Sequence, residues 1–229
     1  WWPCLPLYMR WSAQAMPRTA EAQAFLAAHG GTGLAPLAGA IGDVLQQKGR
    51  CVVGLDGMAA AGKTTAAALL CRAFGGACVH MDDFFLPPAL RTPQRLAQPG
   101  GNVHYERFAE EVAPALRLGQ AFCYGVFDCS RMALAGTRAV PAAPLTVVEG
   151  AYSLHPFFST GLYDVRAYYA ISPEAQKARI LARNGPAALC AFEGKWIPME
   201  NAYAAAFGIR ESCGVLLQAQ PGGAQGQHV

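Results

Sequence analysis

Cys51-Val52-Val53-Gly54-Leu55-Asp56-Gly57-Met58-Ala59-Ala60-Ala61-Gly62-Lys63-Thr64-Thr65 joins a short apolar run to a glycine-bearing loop and a lysine-threonine pair. Cys51 to Leu55 has the length and near-continuous apolarity of a strand buried on both faces of a parallel sheet. Gly57 to Thr64 fits the spacing G-x-x-x-x-G-K-[ST], and an alanine-rich helical pattern follows. Strand, loop and helix in that order are the context in which this spacing carries chemistry. Backbone N–H groups of Gly57, Met58, Ala59, Ala60, Ala61 and Gly62, with the helix N-terminus, surround a polyphosphate whose charge the helix dipole favours. Lys63 is expected to reach the β- and γ-phosphates, Thr64 to place its hydroxyl on a bridging Mg²⁺, and Thr65 to help start the helix. Lysine is scarce, four residues against fourteen arginines, so a lysine at this position is informative. Ala60 stands where many such loops carry another glycine, and alanine resists positive φ.

Outward from this stretch, further strand candidates are Ala77 to Met81, Leu145 to Val148, Val165 to Ile171 and Val215 to Gln218, with helical patterns between them. Alternating strand and helix makes the chain α/β. Gly100-Gly101-Asn102 supplies a turn and an N-cap, after which Tyr105, Phe108, Val112 and Leu116 predict one helix, ended by Gly119. Arg18 to Gln47 predicts two helical pieces joined at Gly30-Gly31-Thr32-Gly33. The expected division is an N-terminal extension with lead-in helices over 1–45, a core domain over 46–218 and a disordered tail over 219–229.

Composition narrows the function. The chain has 229 residues, of which 53% are hydrophobic and 14% charged, so it buries a core of ordinary single-domain size. Its net charge of +3, without a basic block, is poor support for nucleic acid or an anionic membrane as partner, and points to a small ligand. It leaves room for a homo-oligomer. The eight cysteines are dispersed, without zinc spacing or disulfide framework, and read as reduced, which fits a cytoplasmic protein. No apolar run reaches the length of a spanning helix. The opening Trp1-Trp2-Pro3-Cys4-Leu5-Pro6-Leu7-Tyr8 does not read as a signal peptide, and Met9 or Met16 is an alternative start.

The loop alone does not distinguish hydrolases, motors and kinases. No N-K-x-D string is present to recognise a guanine base, which argues against a GTPase switch. Two strand candidates end in carboxylates: His80-Met81-Asp82-Asp83-Phe84-Phe85 and Val147-Val148-Glu149-Gly150. At the carboxyl edge of a parallel sheet, Lys63, Asp82 and Glu149 would converge on one site. Phosphoryl transfer needs a base for the attacking hydroxyl and carboxylates for Mg²⁺, so Asp82 is expected as base and metal neighbour, and Glu149 as metal ligand with Thr64. Asp83 fits a helix cap as well as a substrate contact. Phe84, Phe85, Tyr105 and Tyr124 are candidate stacking residues, and Asp128 and Arg131 candidate polyol contacts. His104 and His155 lack ligand-spaced partners and read as structural.

With the loop, Asp82-Asp83-Phe84-Phe85 and Glu149-Gly150-Ala151-Tyr152 together, the chain resembles the uridine kinase-like branch of the P-loop kinases, which also holds phosphoribulokinase and bacterial pantothenate kinase. The resemblance runs from about residue 45 to residue 218 and extends to Arg91-Thr92, Pro99-Gly100-Gly101-Asn102, Phe127-Asp128-Cys129-Ser130, Tyr152-Ser153-Leu154-His155-Pro156 and Trp196-Ile197-Pro198-Met199-Glu200. It implies a three-layer fold on a five-stranded parallel sheet, ATP or GTP as donor with Mg²⁺, and a hydroxyl acceptor activated by Asp82. It also implies a helical lid bearing arginines, for which the chain offers Arg179 and Arg183 within Pro173 to Asn184, before Gly185-Pro186. Four residues apart, they share one helix face and could brace the transferring phosphoryl group. Uridine-cytidine kinases carry an Asp-His-Pro and a His-x-Arg segment around the nucleoside, where this chain reads Gly101-Asn102-Val103-His104-Tyr105 and Phe127-Asp128-Cys129-Ser130-Arg131. The expected activity is therefore a small-molecule kinase, with a nucleoside such as uridine as first acceptor. A non-nucleoside acceptor (pantothenate, a sugar phosphate or a glycerate-like acid) and an acceptor-free hydrolase or switch are the alternatives.

Overall fold

The structure, a computed structural model, describes residues 19–219. The readings of the Trp1 to Tyr8 opening, of a start at Met9 or Met16 and of the tail from residue 220 onward lie outside the described residues. Helices α1 (Thr19–Ala28) and α2 (Ala35–Lys48) lead into β1 (Cys51–Gly57) and, past the loop, α3 (Lys63–Phe74). β2 (Ala77–His80) opens into a tight helical turn over Met81–Phe84, followed by the one-turn α4 (Pro93–Leu96), then α5 (Tyr105–Glu111) and α6 (Ala113–Leu118). Next come a hairpin of β3 (Phe122–Asp128) and β4 (Ala133–Val140), then β5 (Leu145–Glu149), α7 (Pro156–Ser159) and β6 (Val165–Ala170). Finally α8 (Pro173–Ala191) passes through a wide turn at Phe192–Trp196 into α9 (Ile197–Ala206) and β7 (Val215–Gln218).

The main sheet runs β2-β5-β1-β6-β7 with every pairing parallel, and its five strands are the five expected from the sequence. A parallel sheet must be covered on both faces, and β1 and β5 are buried at every residue. Alternation along β1 divides the core. Val53 and Leu55 meet Leu37 and Ile41 of α2 and Leu70 and Phe74 of α3 on one side. Val52 on the other faces the layer of Phe84, Phe108, Tyr124 and Phe158. Each fully buried leucine or isoleucine contributes about 1.5–3 kcal/mol, so helix, sheet and helix lock into three layers.

Two local expectations are corrected. His104, not Asn102, caps α5, its Nδ1 accepting from the backbone N of Arg107 at 3.3 Å. The expected single helix from Tyr105 to Leu116 breaks at Val112, because Pro114 has no N–H to offer the carbonyl of Glu110; Gly119, at φ 67°, ends α6 as expected. The first helical segment after Pro173 ends at Gly185, as expected. That glycine leaves helical geometry at φ 80° and ψ 174°, and Pro186 starts a second segment of α8. The hairpin β3-β4 had no counterpart in the sequence reading: β4 is exposed at every residue but Val140, so it lacks the apolar alternation that marks a half-buried strand.

Candidate functional site

The loop after β1 is shaped by two close approaches. Gly57 takes φ 142°, and a Cβ there would lie 2.2 Å from the carbonyl oxygen of Tyr169 on β6, so only glycine fits. Gly62, at φ 105°, precedes α3, and no side chain caps the helix, so its first N–H groups are free for an anion. Ala60 between them is held at φ 60°, the left-handed conformation that alanine resists. Lys63 is buried and donates to the carbonyls of Gly57 (2.8 Å) and Met58 (2.9 Å), curling over the loop.

The carboxylates meet the loop as expected. Thr64 Oγ1 donates to Glu149, 3.1 Å from Oε1 and 3.2 Å from Oε2, and His80 Nδ1 lies 2.6 Å from Glu149 Oε1. Thr64, Glu149 and His80 thus bring α3, β5 and β2 together. Asp82 sits in the turn after β2 with surface open to water. The surrounding protein nevertheless desolvates it, and this, followed by the negative charge of Glu149, raises its pKa above the ordinary carboxylate range against the pull of Lys63. Asp83 points away: buried, it accepts from Tyr124 Oη at 2.9 Å and lies 3.3 Å from Arg138 Nε.

With this geometry in view, the chain can be set beside known proteins. No family model and no curated protein matches it. Among solved structures, a Silicibacter sp. TM1040 protein put forward as a fructose transport system kinase superposes with a TM-score of 0.62 at 26% identity, covering 80% of this chain and 98% of that one. A Bacillus stearothermophilus protein put forward as a uridine kinase superposes with a TM-score of 0.53 at 19% identity, covering 79% and 98%. The fold is the three-layer P-loop fold. In this P-loop frame, β1 carries the loop at the middle of the sheet, and the carboxyl ends of its neighbours β5 and β6 and of β2 beyond β5 lie on the same edge.

Of the two lid arginines, Arg179 reaches the P-loop, its Nη1 donating to the carbonyls of Ala60 and Ala61 at 3.2 Å each. Arg183, one turn on, is exposed and bonds Asn184 Oδ1 at 2.7 Å, so the shared helix face does not bring both to the loop. Two loop contacts went unread in the sequence. Gln176 Nε2 donates to the carbonyl of Ala59 (3.0 Å), and Glu200 Oε2 accepts from the N–H of Ala59 (2.9 Å). Burial, eased by Lys63 and the Ala59 N–H, lifts the Glu200 pKa to about 7. Glu200 belongs to the quoted Trp196 to Glu200 segment, but nothing local there tells that it meets a loop 141 residues away.

The candidate stacking residues are mostly taken. Phe84 and Tyr124 are fully buried and stack on each other with ring centroids 5.1 Å apart. Tyr105 lies between the His155 ring at 4.4 Å and the Arg95 guanidinium at 3.8 Å. Asp128 accepts from the backbone N of Ser130 and Arg131 and shapes the hairpin tip, where Arg131 is exposed. At this tip burial, followed by the charge of Asp82, raises the Cys129 pKa. Arg107 anchors this wall: it donates to the carbonyls of Asp83 and Gly125 and covers the Phe84 ring at 4.2 Å. His104 and His155 are structural caps, His155 Nδ1 accepting from the Phe157 N–H at 3.2 Å.

Proposed function

We propose that the protein is a small-molecule kinase that transfers the γ-phosphoryl group of ATP or GTP to a hydroxyl of a small acceptor, with residues 46–218 as the catalytic unit. The observation that carries this reading is the convergence of Lys63, Thr64, Asp82 and Glu149 at one edge of the sheet, with Thr64 bonded to Glu149 at 3.1 Å. A kinase needs a carboxylate near the loop to take the proton of the acceptor hydroxyl, and Asp82, within the influence of Lys63 and Glu149, suits that use.

In this reading the N–H groups of residues 57–65 hold the donor phosphates, and Lys63 turns from the loop carbonyls to the β- and γ-phosphates. Asp82 accepts the proton of the attacking hydroxyl as its oxygen bonds to the γ-phosphorus and the bond to the nucleoside diphosphate breaks. Thr64 and Glu149, with Asp82 beside them, are the residues that would hold Mg²⁺. One hydroxyl and carboxylate oxygens suit that hard cation, whose other ligands would come from phosphate and water. Such an ion neutralises charge developing on the phosphate oxygens. Arg179, braced on the loop, orders the donor side, and Arg183 requires a lid movement to join it.

A nucleoside such as uridine is the first acceptor to try, and the fructose-related neighbour at 26% identity makes a free sugar its equal. The seven free thiols among the described residues support a reducing, cytoplasmic setting. No helix among the described residues is long and apolar enough to cross a membrane, and neither nucleic acid nor membrane is proposed as a partner. The test is nucleoside diphosphate release from Mg-ATP and Mg-GTP, without acceptor and then with nucleosides, sugars, pantothenate and glycerate. Stimulation by an acceptor is expected. Release that no acceptor increases would make the protein a hydrolase or switch.

A further inference from the structure

β2 and β5 end on the same register position: His80 and Glu149 are Cα partners, the last of the four that join these strands. Side chains at one register position of a parallel pair stand on the same face, so the pairing itself brings the imidazole beside the carboxylate. His80 Nδ1 lies 2.6 Å from Glu149 Oε1, and the two side chains are 25% and 6% exposed. An ionised carboxylate can only accept, so Nδ1 carries the hydrogen of this bond. The Thr64 hydroxyl is shared between both carboxylate oxygens, at 3.1 and 3.2 Å. Among the described residues Oε1 therefore has a second donor, His80, and Oε2 does not.

His80 is itself held in place. Its backbone N–H donates to Tyr124 Oη at 3.4 Å, and that hydroxyl donates to Asp83 Oδ2 at 2.9 Å, which ties the end of β2 to the buried Phe84–Tyr124 stack. Cys78, two residues back and so on the same face of the strand, puts its Sγ 4.0 Å from Nδ1. Strand pairing needs none of this, because the β2–β5 ladder is a backbone structure. A buried charge pair also adds little net stability, since desolvation offsets the attraction. An imidazole on a buried carboxylate beside the loop threonine has a clearer use, which is to keep that carboxylate in one orientation. Carboxylates that ligate metals are themselves hydrogen-bonded in this way, and loss of such a partner weakens metal binding about 10–100-fold.

We propose that His80 is a positioning residue: by donating from Nδ1 to Oε1 it fixes the Glu149 carboxylate and leaves Oε2, with Thr64 Oγ1, for the divalent cation of the donor nucleotide. The inference rests on the assignment of Thr64 and Glu149 to Mg²⁺ in the kinase reading and adds the residue that orients them. His80 does not ligate the cation through Nδ1, whose hydrogen faces the carboxylate, and Mg²⁺ takes oxygen ligands by preference.

The test compares the full chain with three variants. His80→Leu removes the donor, His80→Asn keeps an amide nitrogen near the place of Nδ1, and His80→Gln moves it toward the place of Nε2. Calorimetry gives the Kd of imido analogues of ATP and GTP, which cannot transfer the γ-group, in EDTA and over a series of Mg²⁺ concentrations. In His80→Leu and His80→Gln the Mg²⁺ concentration for half of the tightening should rise about 10–100-fold, with the Kd in EDTA unchanged. His80→Asn should restore the wild-type Mg²⁺ dependence. A residue that only braced the strands would move the Kd in EDTA and in Mg²⁺ together. Equal Mg²⁺ dependence in all four proteins, His80→Asn as impaired as His80→Leu, or wild-type binding that Mg²⁺ does not tighten overturns the inference. Where His80→Leu does not fold, His80→Gln against His80→Asn decides, and equal Mg²⁺ dependence in those two overturns it. Acceptor-dependent diphosphate release, run in parallel, keeps the kinase reading separate. If no acceptor stimulates release while the Mg²⁺ series behaves as expected, the kinase reading falls and the role of His80 stands. If acceptors stimulate release and the series does not differ among the variants, His80 falls and the kinase reading stands.

Discussion

On the donor side, the groups that would meet phosphate come from residues 57–65, and most are backbone N–H groups whose directions are set by Gly57 and Gly62. On the proposed acceptor side, Asp82 and Glu200 come from the turn after β2 and from α9, and Arg107 and Asp56 hold these supports in register through Asp83 and Tyr203. The first half is a local conformation that the rest of the protein braces, through Gln176, Arg179 and Glu200. The second exists only after distant segments have packed. A substitution on the donor side should therefore act through loop conformation, and one on the acceptor side through side-chain placement.

The sharpest separation comes from Asp82→Asn. Turnover should fall about 10²–10⁴-fold while the nucleotide Kd stays as in the wild type, measured by acceptor-dependent diphosphate release and by nucleotide titration. Undiminished turnover would falsify Asp82 as base. Next is Arg107→Ala, which leaves the carbonyls of Asp83 and Gly125 unpaired and uncovers Phe84. A loss of about 2–4 kcal/mol in denaturant unfolding is expected, with a rise in acceptor KM larger than any in nucleotide KM. Equal rises in both would show that the two halves are not independent.

Glu200 joins the halves, and pH reads it. Its pKa is raised from 4.5 to about 7 in the folded protein, so the stability it contributes is fully present below about pH 4.5 and is lost as pH rises through about 7. Glu200→Gln should abolish that decline, an effect of order 2 kcal/mol after allowance for partial exposure, read as unfolding free energy from pH 4.5 to 8. The same decline in wild type and variant would assign it to another group. The smallest effect is that of Ala60→Gly. Relief of about 1–2 kcal/mol of left-handed strain is offset by about 0.5–1 kcal/mol of added chain entropy, leaving a gain below about 1 kcal/mol in thermal unfolding. A clear loss would mean that the Ala60 methyl group makes a packing contribution larger than its strain.

The donor half and the sheet were legible because their signals are short-range. Apolar runs marked all five strands of the main sheet, and the glycine-lysine-threonine spacing marked the loop, since backbone dihedrals and helix starts depend on a few neighbouring residues. Asp82 and Glu149 could be placed together by topology alone, as residues just past adjacent parallel strands. The break at Val112 was legible in principle from Pro114 and was masked by the continuous apolar spacing of Tyr105, Phe108, Val112 and Leu116. The hairpin gave no pattern because β4 turns almost nothing toward the core.

The sequence by itself determined that a parallel α/β sheet carries a phosphate loop with two carboxylates along its edge, because those features follow from local periodicity and from the single rule that parallel strands end on one side. Tertiary structure alone decided that Asp83, Phe84 and Tyr124 belong to the core, that Arg179 and not Arg183 reaches the loop, and that Glu200 sits on the Ala59 N–H. Each of these depends on which side of a packed element a residue faces and on what lies across it, and chain segments far apart in sequence supply that neighbour only once the hydrophobic layers have closed.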